Sequence, residues 1–273
     1  WIDDEKDWSK FTYLDFSIWY ICNLPTNQIK NLIIKLIKDQ SKNNNNFKSI
    51  KNFKGNFSFI AFSNLRLIAS VDRIKSFPIF FSAKKSVFKL SNNALLLESK
   101  TKLKKTNYSA ALSLAMSGYT IGRETIIKDL SQLLAGEYLV FEKKELFIKK
   151  YYQFQPWAQD IKTPYKNLKK ELVNITLDVF SDILKKRKNR TLVVPLSGGY
   201  DSRLVVSALY KLNAKNVICI SYGRENNYDS ETAKIIAKQL NFPWYFSSLE
   251  NIIQKKNFNS SFYKNYVNFA DTL

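Results

Sequence analysis

The chain has 273 residues, 45 % of them hydrophobic and 15 % aromatic, with a formal net charge of +20 and no histidine. That length allows two domains, each large enough to bury a core, and no apolar run approaches the ~20 residues that cross a bilayer, so a soluble protein without a membrane partner is expected. The lack of histidine excludes Ser-His-Asp and Cys-His arrangements, His-ligated zinc and most general-base chemistry near neutral pH, which leaves bound phosphate, carboxylates and lysines to carry any reaction.

The opening WIDDEKDW has neither the basic flank nor the apolar run of a signal peptide, and it starts at Trp1 in place of Met, so the native start is expected upstream. Over residues 27–40, Ile29, Leu32, Ile33, Leu36 and Ile37 recur at helical steps and predict a helix that fades into the polar run Asn43 to Asn46. The period then shortens. FSFIAFS, LRLIASVD, FPIFFSA and VFKLSN follow one another with turn residues between them, the pattern of an antiparallel sheet. Helices are predicted again at about 108–117 and 122–133, followed by two strands, EYLVFEK and ELFIKKYY, around a lysine-containing turn. Residues 153–165 mix Pro, Gln and Asp without periodicity and read as a linker, which divides the chain into 1–153, a linker at 154–164, and 165–273.

Beyond the linker, Leu168, Leu172, Ile175, Val179 and Ile183 line one face of a predicted helix, widened by Phe180 and Leu184 and ended by the polar KKRKNR. Strand TLVVPL, loop SGGYDS, helix RLVVSALYKLN, strand NVICISY, helix DSETAKIIAKQL and strand PWYFSSL then alternate as right-handed βαβ units do, which predicts a parallel sheet.

A charge of +20 raises a nucleic-acid partner, because lysines facing phosphates gain affinity from counterion release. Lysine is spread along the whole chain, however, and arginine, the better fork for phosphate and bases, is confined to positions 66, 73, 123, 187, 190, 203 and 224. A compositional bias toward Lys, Asn, Ile, Phe and Tyr explains the charge better, so nucleic acid is not the expected partner. Cys22 and Cys219 both lie in apolar runs, which suits free buried thiols in a reducing cytoplasm.

The chemistry concentrates in Ser197-Gly198-Gly199-Tyr200-Asp201-Ser202. A parallel strand entering a helix through this loop presents backbone N–H groups to an anion, with glycines permitting close approach and the helix N-terminus electropositive. Ser197 and Ser202 add hydroxyl donors. Asp201 would repel a bare phosphate, so it implies Mg²⁺ between carboxylate and phosphate oxygens. The competing structural reading is a helix capped by Ser or Asp. The loop is not a Walker A sequence, since it lacks the Gly-Lys-Ser/Thr ending.

SGGYDS resembles the loop of the ATP pyrophosphatase superfamily, which cleaves ATP between the α- and β-phosphates to form an adenylate. Further stretches resemble the asparagine synthetase family. Ser221-Tyr222-Gly223 and Asp229-Ser230-Glu231, with Ala233 and Ala237, are similar to its segment beside the adenine, where Tyr222 falls at a backbone group that holds the base. Gly55-Asn56-Phe57-Ser58-Phe59, Asp72-Arg73, Pro78-Ile79-Phe80-Phe81 and Leu134-Ala135-Gly136-Glu137-Tyr138 are similar, in that order, to its glutaminase-like domain.

The resemblance implies a two-domain fold of α+β and α/β parts. Residues 1–153 would form an Ntn-hydrolase-like domain of antiparallel sheets with helices, and 165–273 the first part of an adenine nucleotide α-hydrolase-like parallel sheet. It implies ATP and Mg²⁺ as cofactors, held by Ser197, Gly198, Gly199, Asp201, Ser202, Tyr222 and Gly223 with the metal on Asp201. The substrates would be a carboxylate, aspartate by default, and ammonia or an amine, in a cytoplasmic ligase for which a homodimer is allowed. Two departures stand out. The family's N-terminal cysteine nucleophile and oxyanion Asn-Gly are absent, with Asn23-Leu24 and Asn56-Phe57 in their stead and Cys22 reading as a core thiol, so a degenerate glutaminase is expected. A second acidic ATP motif and a catalytic lysine are expected beyond Leu273, so no catalytic residue is assigned. An RNA-binding relative of the tRNA-modifying enzymes and an inactive scaffold are the alternatives.

Overall fold

A computed structural model of the chain describes residues 1–3, 7–41, 48–51, 53, 55–84, 87–103, 105–157, 163–187, 189–249 and 259–269. They fall into two compact units, Trp1–Trp157 and Ala158–Ala270. Asn43 to Asn46, residues 158–162 of the expected linker, Lys188 of KKRKNR and Leu273 lie outside the described residues.

The first unit is a stack of antiparallel layers. Strands β1 (Ser9–Tyr13), β2 (Phe16–Cys22), β3 (Phe57–Phe62), β4 (Arg66–Val71), β8 (Glu137–Glu142) and β9 (Glu145–Lys150) form one sheet in the order β1-β2-β3-β4-β8-β9. A smaller sheet has the order β6-β5-β7, from β5 (Phe80–Lys84), β6 (Val87–Ser91) and β7 (Ser131–Gln132). Helices α1 (Thr26–Ser41), α2 (Lys48–Lys51), α3 (Ala94–Thr101) and α4 (Tyr108–Ser117) complete the unit.

The two-residue period of the strands decides which core each side chain joins. Phe57, Phe59 and Ala61 of β3 pack with Ile18 and Tyr20 of β2 and with Ile29, Leu32, Ile33, Leu36 and Ile37 of α1. On the other face Ile60, Ala69, Val71 and Leu139 meet Ile79, Phe81, Leu90 and Leu133. Phe80, next to Phe81, turns outward to Ala94 and Leu97 of α3 and to Leu130. The layers therefore run helix, sheet, sheet, helix. Each buried Ile, Leu or Phe contributes about 1.5–3 kcal/mol by leaving water.

One expectation fails here, and one element was not expected. Residues 122–133 form no helix. Ile126, Ile127, Leu130 and Leu133 have helical spacing, but Asp129 is left-handed at φ 67°, and the Thr125 hydroxyl donates to the carbonyls of Ile127 and Leu130. The bridge Thr106↔Ile127 then ties the segment to its neighbour, and Glu124↔Ser131 closes it on itself. Conversely, α3 is a helix without an amphipathic stripe, started by the Asn93 side chain accepting from the Leu96 N–H at 3.1 Å. The lysine-containing turn is a two-residue hairpin in which both Lys143 (φ 51°) and Lys144 (φ 64°) are left-handed.

The second unit alternates helix and strand: α5 (Tyr165–Lys186), β10 (Leu192–Pro195), α6 (Tyr200–Lys211), β11 (Val217–Gly223), α7 (Tyr228–Gln239), β12 (Trp244–Ser248) and α8 (Ser261–Phe269). The three strands pair in parallel in the order β10-β11-β12. Val194, Leu196, Val206, Leu209, Cys219, Ala233 and Ala237 form its core. The α5 stripe is at the surface: Leu172 is 63 % exposed and Ile175 53 %, while Phe180 and Leu184 are the residues that reach the core. Periodicity tells which residues share a face but not what that face meets. The whole chain is thus a mixed α/β structure, and among the described residues no helix is long and apolar enough to cross a membrane.

Burial pushes the Cys219 thiol from 9.0 up to about 11 and the Tyr138 hydroxyl from 10.0 up to about 12. In both cases the unfolded chain loses its proton first as pH rises, so folding is favoured less with each step upward. Stability is therefore expected to be level below about pH 9 and to fall between pH 9 and 12, which urea titrations across that range measure. A flat profile, with the folded signal unchanged, would contradict the burial of both groups.

Candidate functional site

The loop after β10 is shaped by its own serines. The Ser202 hydroxyl accepts from the Ser197 N–H at 3.1 Å and lies 3.0 Å from the Ser197 hydroxyl, which in turn accepts from the Gly199 N–H at 3.2 Å. These bonds curl Ser197–Gly199 over the first turn of α6. Gly199 is the N-cap, in an extended conformation and with no side-chain cap bond. The capping role considered for Asp201 is therefore not the one it has. It stands in the first turn of α6, exposed, and no hydrogen bond or ion pair joins its side chain to another described residue. Arg203 lies beside the loop, its guanidinium 4.4 Å from the Tyr200 ring and its Nε donating to the Gly199 carbonyl at 3.3 Å.

A second helix start closes on the same loop. Asn227 caps α7, its side chain accepting from the Ser230 N–H at 2.9 Å, which sets Asp229 in the first turn. Asp229 Oδ1 accepts the Gly198 N–H at 3.1 Å. A Cβ on Gly198 would stand 2.9 Å from that oxygen, so only glycine lets the α7 carboxylate approach the loop this closely. Two electropositive helix ends, α6 and α7, and two carboxylates, Asp201 and Asp229, therefore surround one stretch of backbone amides.

Tyr222 and Gly223 end β11, in register with Ser247 and Ser248 of β12. The Tyr222 side chain is 64 % exposed and so does not close the strand against the core. Gly223 has φ 141° and its carbonyl accepts from Leu249 N–H at 2.9 Å. The Ser221 hydroxyl fastens β11 to the loop by donating to the Leu196 carbonyl at 2.7 Å. Ser197, Gly198, Gly199, Asp201, Ser202, Tyr222 and Gly223 thus all gather at the carboxyl edge of the parallel sheet, where open α/β sheets bind ligands. A cavity of about 540 Å³ lies at the opposite edge, around Thr191, Val217 and Pro243.

No group of three or more His, Cys, Asp or Glu assembles among the described residues. Asp201 could supply one ligand to Mg²⁺, an ion that ordinarily takes one or two carboxylates and completes its shell with phosphates and water. Asp229 was not assigned to this site from the sequence. Its acidic position two residues after the Asn227 cap is the signal that points to it.

In the first unit, Asn23 and Asn56 face each other. Asn23 Nδ2 donates to Asn56 Oδ1 at 3.0 Å, and the Asn56 backbone N–H donates to Asn23 Oδ1 at 3.0 Å. Cys22 is half-buried at the end of β2, its thiol donating to the Leu24 carbonyl at 3.3 Å.

No protein-family model and no curated protein matches the chain. Among solved structures, the glutamine phosphoribosylpyrophosphate amidotransferase from B. subtilis complexed with ADP and GMP aligns with 93 % of this chain and 76 % of its own length at 10 % identity, with a TM-score of 0.29. A structure described as the allosteric regulatory enzyme of purine biosynthesis aligns with 88 % of this chain at 10 % identity and a TM-score of 0.30, and the chain spans 62 % of that protein's length. Superpositions this loose equate neither folds nor sites.

Proposed function

We propose that the chain binds ATP at Ser197–Ser202, with Mg²⁺ between Asp201 and the phosphates, and acts as an asparagine synthetase-like ligase that adenylates a carboxylate for transfer to ammonia or an amine. The observation that carries this reading is the loop itself: a parallel strand, two glycines, two interlocked serines and an exposed carboxylate at a helix N-terminus. The amides of Gly198 and Gly199 would take phosphate oxygens, and the electropositive end of α6 would favour them. The metal would neutralise charge on the pyrophosphate as it leaves. Tyr222 and Gly223, on the adjoining strand end, would line the base. The layering of helix, sheet, sheet and helix in the first unit suits the glutaminase-like domain that the sequence resembles. Its Asn23 and Asn56 amides are engaged with each other, which supports a silent glutamine site.

The reading is tested by calorimetric titration of the chain with ATP and Mg²⁺, and by pyrophosphate release when aspartate or another carboxylate is added. Saturable, Mg²⁺-dependent ATP binding is expected. Failure to bind ATP would remove the reading, and binding without pyrophosphate release from any carboxylate would reduce it to a nucleotide-binding scaffold.

Asp229 gives a sharper expectation. In the absence of nucleotide its carboxylate holds the Gly198 N–H that a phosphate would need. Asp229→Ala frees that donor and removes a repelling charge, so ATP should bind about threefold to tenfold more tightly, the worth of one exchanged hydrogen bond. Weaker binding in the variant would mean that Asp229 serves the bound state.

A further inference from the structure

A pocket of about 660 Å³ in the first unit is lined by Arg73, Lys75 and Lys150, and no carboxylate is among its lining residues. The turn that carries two of these cations is held by Asp72, which is 1 % exposed. Its oxygens accept the backbone N–H groups of Phe57 at 2.9 Å, Ile74 at 2.9 Å and Ser76 at 3.2 Å. The acid next to Arg73 in the sequence is thus engaged by main-chain donors, and no ion pair joins Arg73, Lys75 or Lys150 to another described residue.

Each cation near the turn is poorly compensated. Lys75 is half-buried, burial lowers its pKa, and Nζ donates to a neutral acceptor, Gln132 Oε1, at 2.6 Å. Its backbone is left-handed at φ 56°, a strain of about 1 kcal/mol for a residue with a Cβ. Arg73 stacks 4.6 Å from the Tyr152 ring and donates from Nη2 to the neutral Lys51 carbonyl at 2.5 Å, while its buried Nε has no partner. A merely solvated lysine face would need neither the strain nor a guanidinium with a buried, unpartnered Nε. Positive charge drawn partly out of water without a counter-charge is costly, and an anion entering the pocket removes that cost. Leu134 and Phe154 give the same pocket an apolar wall.

We propose that this pocket binds a small organic anion, its charged group among Lys75, Lys150 and Arg73 and its apolar body against Leu134 and Phe154. The site is separate from the nucleotide loop and does not depend on it. The test is titration of the chain at low salt with phenyl phosphate and with benzoate, which distinguish a phosphate ester from a carboxylate. Saturable binding of at least one is expected, weakened at least fivefold by Lys75→Gln or by Lys150→Gln and lost in the double variant. Lys150 is exposed on β9, so its replacement decides the matter even if Lys75→Gln disturbs the fold. A control pair on α5, Lys166→Gln with Lys169→Gln, should leave the affinity unchanged. Binding of neither probe, affinity that survives loss of both pocket lysines, or equal weakening by the control pair would overturn the proposal.

Discussion

Replacing Asp201 by asparagine is expected to lower ATP-dependent pyrophosphate release by two or more orders of magnitude while leaving the fold in place. Asparagine keeps the size of the side chain and removes the charge that would hold Mg²⁺ against the phosphates. The structural cost is small because Asp201 is exposed in the first turn of α6, and Gly199, not Asp201, occupies the N-cap. What is lost is its favourable placement near the helix dipole, about 0.3–1 kcal/mol. Release assays paired with far-UV circular dichroism separate the outcomes. Unchanged release would take Asp201 out of the metal site and leave the glycines and serines as the whole of the phosphate-binding claim. An unfolded variant would show that the carboxylate has a structural task not visible in its surroundings.

The second large effect belongs to Asp72. Asp72→Ala should destabilise the first unit by about 3–5 kcal/mol, because hydrogen bonds to a charged acceptor are each worth about 1.5–3 kcal/mol and their N–H donors would be left unpaired in the interior. Phe57 suffers most, since its N–H is buried and is accepted by Asp72 Oδ2. The carbonyl of Asp72 would still accept from Gly136 N–H at 2.9 Å, so the turn would loosen more than detach. Gly136 itself is left-handed at φ 71°, and a Cβ there would run into the Tyr152 carbonyl oxygen. With two compact units, a single unfolding curve is the wrong instrument. Amide exchange should accelerate around residues 55–84 and remain unchanged around 192–223. Equal protection in both proteins would mean that Asp72 is dispensable to the turn and that its pairing with Arg73 in the sequence has another purpose.

Much of the architecture could be read from residue order, because it rests on local periodicity. The helix of Ile29 to Ile37, the strands from FSFIAFS to VFKLSN, and the alternation of helix and strand after residue 165 each repeat a pattern whose physical period is 3.6 or 2 residues. The strand, glycine loop and helix from Leu192 to Lys211 were legible for a similar reason: two glycines between an apolar strand and an apolar helix admit few other geometries. What required the tertiary structure were the facts that depend on distant neighbours. Residues 122–133 carry helical spacing yet are held in an irregular turn by the Thr106↔Ile127 bridge, and α5 carries an apolar stripe whose middle meets no core. Asp72, from the sequence one half of a familiar-looking pair, proved to be the acceptor around which a turn is folded, a role set by amides that lie 2 to 15 positions away along the chain. Asp229 is 31 residues from Gly198 in sequence and 3.1 Å from it in space. A parallel crossover brings the starts of α6 and α7 to the same edge of the sheet, and only that closure decides which carboxylates face the loop.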